Sequence, residues 1–206
     1  MRIDRLLPPS EPGRFWTVAL EGGGFLRVPE GTVAEYALYN GMELDPAALL
    51  ALEEAAREGA LREYAVNSLS AKTVSAGVLR EKLERKGAEP EMAERVVAWA
   101  ERIGLVNDGE YARALARHYA ARGYGIYKIK DELYRRKVPR ELWEDALSEL
   151  ADPAEQIQAF IEKKLTDPTD RKQVKKISDA LVRRGYSWSQ ISGAMERFRW
   201  EWEEQA

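Results

Sequence analysis

Cysteine is absent from the 206 residues and histidine occurs once, at His118. Disulfide staples and thiolate metal sites are thereby excluded, and a reducing compartment, the cytoplasm, is the expected setting. One imidazole cannot build a histidine metal centre, and no serine sits in a nucleophile elbow. The carboxylate pairs Glu53-Glu54 and Glu203-Glu204 read as helix-surface charge, so the sequence offers no catalytic constellation and implies no cofactor. Long apolar runs are missing too. None approaches the roughly 20 residues a bilayer span requires, and the opening residues lead into Pro8 and Pro9 rather than an apolar signal segment. A soluble, non-enzymatic protein with no membrane contact is expected.

Hydrophobic residues make up 45% and charged residues 33%, which suits helices with one buried and one solvated face. The net charge of −3 conceals a gradient. Residues 1–60 hold five Arg against ten acids, a net −5; residues 117–140 hold eight Lys or Arg against two acids, +6; residues 163–185 hold eight against three, +5. A general affinity for nucleic acid over the whole surface is excluded, whereas a basic face confined to the later part of the chain is not.

A pattern recurs about every fifty residues. The runs Leu83-Glu84-Arg85-Lys86-Gly87, Leu133-Tyr134-Arg135-Arg136-Lys137 and Leu181-Val182-Arg183-Arg184-Gly185 lie 50 and 48 residues apart. An apolar pair follows each leucine at 13 residues: Val96-Val97, Ala146-Leu147 and Ala194-Met195. A period of this size is the mark of stacked helical units, none of which can bury all its apolar faces alone. The expected fold is therefore mainly α: three tandem three-helix repeats, over 61–106, 107–150 and 151–206, forming a curved modular body. Asn107 with Glu110 reads as a capping box, Asp152-Pro153 as N-cap and first helical position, and Ser187 as the cap of the last helix.

Residues 1–60 read differently, as a strand-and-helix element. Phe15 to Leu20 and Phe25 to Val28 around a triple glycine predict a hairpin. A short helix over Ala34 to Tyr39 should follow, then one capped by Asp45, entered at Pro46 and stopping near Gly59.

The chain resembles the RecX family, bacterial regulators of the RecA recombinase. The residues that carry the resemblance are Tyr39-Asn40-Gly41-Met42-Glu43-Leu44-Asp45, Leu83 to Gly87, Gly104-Leu105-Val106-Asn107-Asp108-Gly109-Glu110-Tyr111-Ala112, Glu132 to Val138 and Leu181 to Tyr186. Two positions depart from the family pattern: Ser75 is not followed by the usual capping carboxylate, with Gly77 in the first turn instead, and Lys137 replaces a glycine. The resemblance implies a regulator, most simply an inhibitor, that binds RecA and the RecA-DNA filament and limits filament extension, ATP hydrolysis and strand exchange. Its partners would be RecA, its filament and single- or double-stranded DNA directly; a monomer is expected. An independent DNA-binding helical module, or an adaptor for another protein, are the alternatives.

The residues expected to meet RecA or DNA are Arg117, Arg122, Tyr124, Lys128, Lys130, Arg135, Arg136, Lys137, Arg140, Lys163, Lys164, Lys172, Lys175, Lys176, Arg183 and Arg184. Cations in such a stripe exchange counterions for phosphates and make affinity fall with salt; the bland reading is a solvated helix face. Among the interleaved aromatics, Tyr119, Trp143 and Trp188 read as packing, whereas Tyr124 and Tyr127 read as an exposed pair. Gly123-Tyr124-Gly125 lacks the third glycine and preceding strand of a dinucleotide loop, so no nucleotide site is assigned there.

Overall fold

The computed structural model describes residues 1–10 and 15–205. Among them are three strands and ten α-helices, so the chain is mainly α. It divides into two compact units, Met1–Thr73 with Leu79–Val106, and Val74–Val78 with Asn107–Ala206.

The first unit begins with a three-stranded antiparallel sheet, β1 (Ile3–Leu7), β2 (Trp16–Leu20) and β3 (Gly24–Val28), in that order. The hairpin β2–β3 is the one the sequence predicts, with Val18 paired to Leu26. Strand β1 is an addition to it. It is held on its outer side by residues 40–44, where Asn40 Oδ1 accepts the Leu6 N–H at 2.7 Å and the Met42 carbonyl accepts the Ile3 N–H. Helix α1 covers Glu30–Glu35, earlier than the Ala34 to Tyr39 expected, and the chain leaves it through Ala37 at a positive φ of 46°.

Helix α2 runs from Pro46 to Ala71. Its start is as read, since Asp45 accepts the Ala48 N–H at 2.7 Å. The stop at Gly59 does not occur. The glycine serves a close approach instead: a Cβ there would lie 2.6 Å from Pro29 Cγ and 2.9 Å from Phe15, so its absence lets the end of the hairpin lie on the helix. The helix thus joins the sheet's core of Ile3, Val18, Val28, Leu44 and Leu52 to the apolar positions Ala65 and Leu69 further along. Helix α4 (Pro90–Arg102) docks on α2 through Arg95, which reaches Glu54 at 2.6 Å and Glu58 at 3.1 Å.

The second unit contains two cores. One gathers Ala112, Leu115 and Ala116 of α5 (Asp108–Ala121), Ile129 and Leu133 of α6 (Ile126–Arg135), and Ala146 and Leu147 of α7 (Trp143–Ser148), which a 3-10 turn over Arg140–Leu142 precedes. The other gathers Ile157 and Ile161 of α8 (Ala154–Glu162), Ile177 and Leu181 of α9 (Arg171–Arg183), and Ile191, Ala194 and Phe198 of α10 (Trp188–Gln205). Asn107 caps α5 as expected, accepting the Glu110 N–H at 3.0 Å; the Glu110 carboxylate turns to Arg113 rather than completing the box. At α10 the box is complete, with Ser187 Oγ accepting the Gln190 N–H and Gln190 Oε1 accepting the Ser187 N–H.

The middle helices of the repeats meet at equivalent positions. The Arg184 carbonyl accepts the Gly125 N–H at 2.8 Å and the Gly185 carbonyl accepts the Tyr127 N–H at 3.1 Å, so the last turn of α9 caps the first turn of α6. Eight residues before the anchoring leucine, as Gly125 is before Leu133, stands Ser75 before Leu83. Its Oγ donates to the Arg136 carbonyl, the equivalent of Arg184. The end of α6 therefore meets the start of α3 (Ala76–Arg85) at the equivalent place, through a side-chain hydroxyl instead of backbone N–H groups.

The two departures noted in the sequence explain each other at this joint. Lys137 takes the left-handed conformation, φ 54°, that glycine ordinarily fills, and a Cβ on Gly77 would lie only 2.7 Å from its Cβ and 2.8 Å from its carbonyl oxygen. The side chain gained at 137 is accommodated by the one lost at 77. Nor is the capping carboxylate of α3 missing: Asp108 supplies it from the start of α5, its Oδ1 accepting the Ala76 N–H at 2.8 Å while Ser75 Oγ accepts the Val78 N–H.

Burial raises the Asp108 pKa above its ordinary value, partly offset by the Ala76 hydrogen bond, and Asp108 Oδ2 has no hydrogen-bond partner among the described residues. A carboxyl whose folded pKa is raised contributes most when protonated, below its unfolded pKa of about 4, and loses that contribution as pH rises through the folded value. Asp108→Asn keeps the acceptor and removes the charge. The stability of the native protein relative to this variant is expected to fall as pH rises above about 4 in urea unfolding, and Asp108→Ala to cost about 1–2 kcal/mol through the lost cap. Parallel pH profiles would refute the assignment.

Candidate interaction surface

Helix α9 is strongly amphipathic. Ile177, Ser178 and Leu181 face the core, and Arg171, Lys172, Lys175, Lys176 and Arg183 emerge opposite, with Asp179 and Val182 among them. Asp170 starts the helix by accepting the Lys172 N–H at 2.8 Å. Lys172, Lys175, Lys176 and Arg183 form no side-chain ion pair among the described residues, so their charge is available to a partner. Lys163 and Lys164, just beyond α8, are exposed as well, and the Lys164 ammonium lies 4.7 Å from the Phe160 ring centroid.

On the neighbouring three-helix group the expected cations divide. Lys130 and Lys137 are exposed, as is Arg122 beside His118. Arg117 is exposed but lies 3.3 Å from Glu149, and Arg140 rests on the Trp143 ring. Arg135 is exposed and donates to Glu132 at 3.0 Å. Three others are committed to the fold. Glu132 is buried and draws Lys128 (3.5 Å) and Arg136 (3.7 Å), and Arg136 also donates to the Tyr111 hydroxyl. Arg184 lies over both Tyr124 and Phe160, at 5.7 and 4.9 Å, and donates to the Gly123 carbonyl at 3.1 Å. A buried carboxylate needs such cations, so Lys128 and Arg136 are parts of the scaffold, as Arg184 is through its rings and carbonyl.

Two aromatic residues are placed otherwise than the sequence predicts. Tyr124 is half-buried between Arg184 and Tyr119, so it belongs to the joint and not to an exposed pair. Tyr134 takes its place: Tyr127 is 60% and Tyr134 65% exposed. Trp188, read as packing, is 66% exposed because it begins α10 beyond the edge of the core that Ile191 and Ala194 enter. Tyr119 and Trp143 do pack against the second core, the indole N–H of Trp143 donating to the Val138 carbonyl. Ile126 is 40% exposed, since the joint occupies the backbone of the first turn rather than its outer side chain.

The first unit contains a cleft of about 490 Å³ lined by Glu35, Glu54, Glu58, Arg62 and Arg95. Arg62 and Arg95 already hold Glu58 and Glu54, leaving little free charge for a ligand. No helix among the described residues is long and apolar enough to cross a membrane.

Tandem three-helix groups whose middle helices meet at equivalent positions, with one face left basic, define a helical repeat protein. The comparisons narrow this class. Residues 107–147 match the family model of the RecX second three-helix domain, and residues 151–195 that of the third. The Regulatory protein RecX of Deinococcus radiodurans is 35% identical over 136 residues, 64% of this chain and 65% of that relative. The Regulatory protein RecX of Pseudomonas fluorescens is 31% identical over 136 residues, 65% of this chain and 88% of the relative. A crystal structure of regulatory protein RecX superposes with a TM-score of 0.79 at 21% identity, covering 95% of this chain and 98% of that one; RecX from Lactobacillus salivarius gives 0.63 at 22%, covering 68% and 96%. The chain belongs to the RecX family of regulatory proteins.

Proposed function

We propose that this chain regulates a RecA-type recombinase in the cytoplasm by seating its basic helix faces on the recombinase-DNA filament, limiting filament extension, ATP hydrolysis and strand exchange. The observation that carries the reading is the solvent face of α9, where Lys172, Lys175, Lys176 and Arg183 stand without ion pairs among the described residues on a helix anchored by Ile177 and Leu181. A filament offers a periodic run of phosphates and acidic side chains, and several weak charge contacts made at once by the second unit add through effective concentration. The cations spent inside the fold, Lys128, Arg136 and Arg184, hold that body rigid rather than touch the partner.

The test is the DNA-dependent ATPase of the cognate recombinase as the chain is titrated in at moderate salt. A fall in rate at amounts well below those needed to coat the DNA is expected. An unchanged rate at every ratio would sink the proposal.

A further inference from the structure

The outer face of α6 differs from its equivalents in a way the fold does not require. At the positions of Tyr127 and Tyr134, α3 carries Gly77 and Glu84, and α9 carries Lys175 and Val182. An acid and an arginine recur beside them in all three helices: Glu81 and Arg85, Asp131 and Arg135, Asp179 and Arg183. The tyrosine pair is thus peculiar to α6. Both rings are largely in solvent, with Ile126 and Lys130 on the same side of the helix, and seven residues of helix separate them by about 10 Å.

The helix beneath the rings is fixed at two levels. Its first turn is capped by the Arg184 and Gly185 carbonyls, and its last two turns are tied to the buried Glu132 through Lys128, Arg135 and Arg136. Flat aromatic faces on a helix held at both ends, with a lysine between them, are what a single-stranded nucleic acid needs: a base lies on each ring, and a cation meets the phosphate between. Duplex DNA hides its base faces in the stack and gains only the phosphate contacts.

We propose that Tyr127 and Tyr134 are stacking platforms for the bases of a single strand, with Lys130 on its phosphates, so that the chain selects unpaired over paired DNA. This deepens the filament reading and rests on it for the biological source of the strand. The chemistry recognised, an unpaired base followed by a phosphate, is independent of that source. Asp131 on the same face disfavours phosphates directly above it and steers the backbone to the Lys130 side.

The experiment compares, by fluorescence anisotropy, a thymidine homopolymer, an abasic deoxyribose-phosphate polymer of the same length and a matched duplex over a range of salt. The native protein is expected to bind the homopolymer at least about tenfold more tightly than the abasic strand, as stacking on two rings implies. Tyr127→Leu/Tyr134→Leu keeps apolar, solvent-facing side chains that helices tolerate. This variant should bind homopolymer and abasic strand alike, with an unchanged salt slope because the phosphate contacts remain. Equal binding of the two strands by the native protein, discrimination kept by the variant, or no binding to any of the three at low salt would each overturn the proposal. The recombinase ATPase titration is read separately, so a protein that regulates the filament but ignores bases would lose this inference and keep the broader one.

Discussion

Alanine at Gly185 is expected to cost the second unit about 3–5 kcal/mol, and alanine at Gly87 only about 1 kcal/mol. The two glycines close equivalent helices, α9 and α3, and share the left-handed conformation, φ 88° and 95°. The backbone strain of a Cβ is therefore common to both. Their surroundings are not: nothing lies within 4 Å of a Cβ on Gly87, whereas one on Gly185 would lie 2.6 Å from Lys128 Cβ and 3.0 Å from its Cα, with Lys128 N closer still. Backbone cannot rotate aside as a side-chain tip can, so α6 and α9 must separate. That forfeits the hydrogen bonds from Gly125 and Tyr127, each worth about 1 kcal/mol. Unfolding in urea followed by circular dichroism separates the cases, and equal losses at the two glycines would show that the joint contributes nothing. Gly125→Ala provides a second arm, since its Cβ would lie 2.6 Å from the Tyr186 nitrogen.

The second large effect is functional. Reversing Lys172, Lys175 and Lys176 to glutamate is expected to weaken association with DNA or with the recombinase filament by about 100-fold or more at moderate salt. If all three meet phosphates, the slope of log affinity against log salt falls by about 2.7. The fold should tolerate the change. None of the three side chains is ion-paired among the described residues, and Lys172 stands in the first turn of α9, where a negative charge suits the helix dipole. Matched reversal of Lys128 and Arg136 would mislead, because it destroys the shell of Glu132 and reports on stability. Inhibition retained in full by the α9 variant at every salt concentration would place the working surface elsewhere.

Much of the helical order is legible in the sequence because each middle helix announces itself by three signs: an anchoring leucine, a basic run, and an apolar pair thirteen residues on. What local pattern cannot show is how residues distant in sequence share work. Gly59 looks like a stop until Pro29 and Phe15 are seen resting on it. Asp108 looks like part of its own helix's start, yet its carboxylate caps α3. Strand β1 has no periodic signature of its own and depends on Asn40 and Met42 for its outer edge.

The basic residues illustrate the same limit. Counting cations by sequence cannot separate Lys176, facing water, from Arg136, held against a buried glutamate. One signal is available: Glu132 stands three residues on from Ile129 and next to Leu133, which puts an acid on the apolar side of α6, and a buried acid must recruit nearby cations.

The length of α9 carries one more consequence. In α3 and α6 the first turn begins where another helix's last turn can deliver its carbonyls. In α9 the equivalent of Gly125 is Gln173, which already lies inside the helix with its N–H directed to Asp170. An extra turn, Arg171 to Gln173, stands where an incoming partner would sit. The first turn of α9 is thus satisfied by its own Asp170, where the first turn of α6 draws its acceptors from a helix more than fifty residues away in sequence.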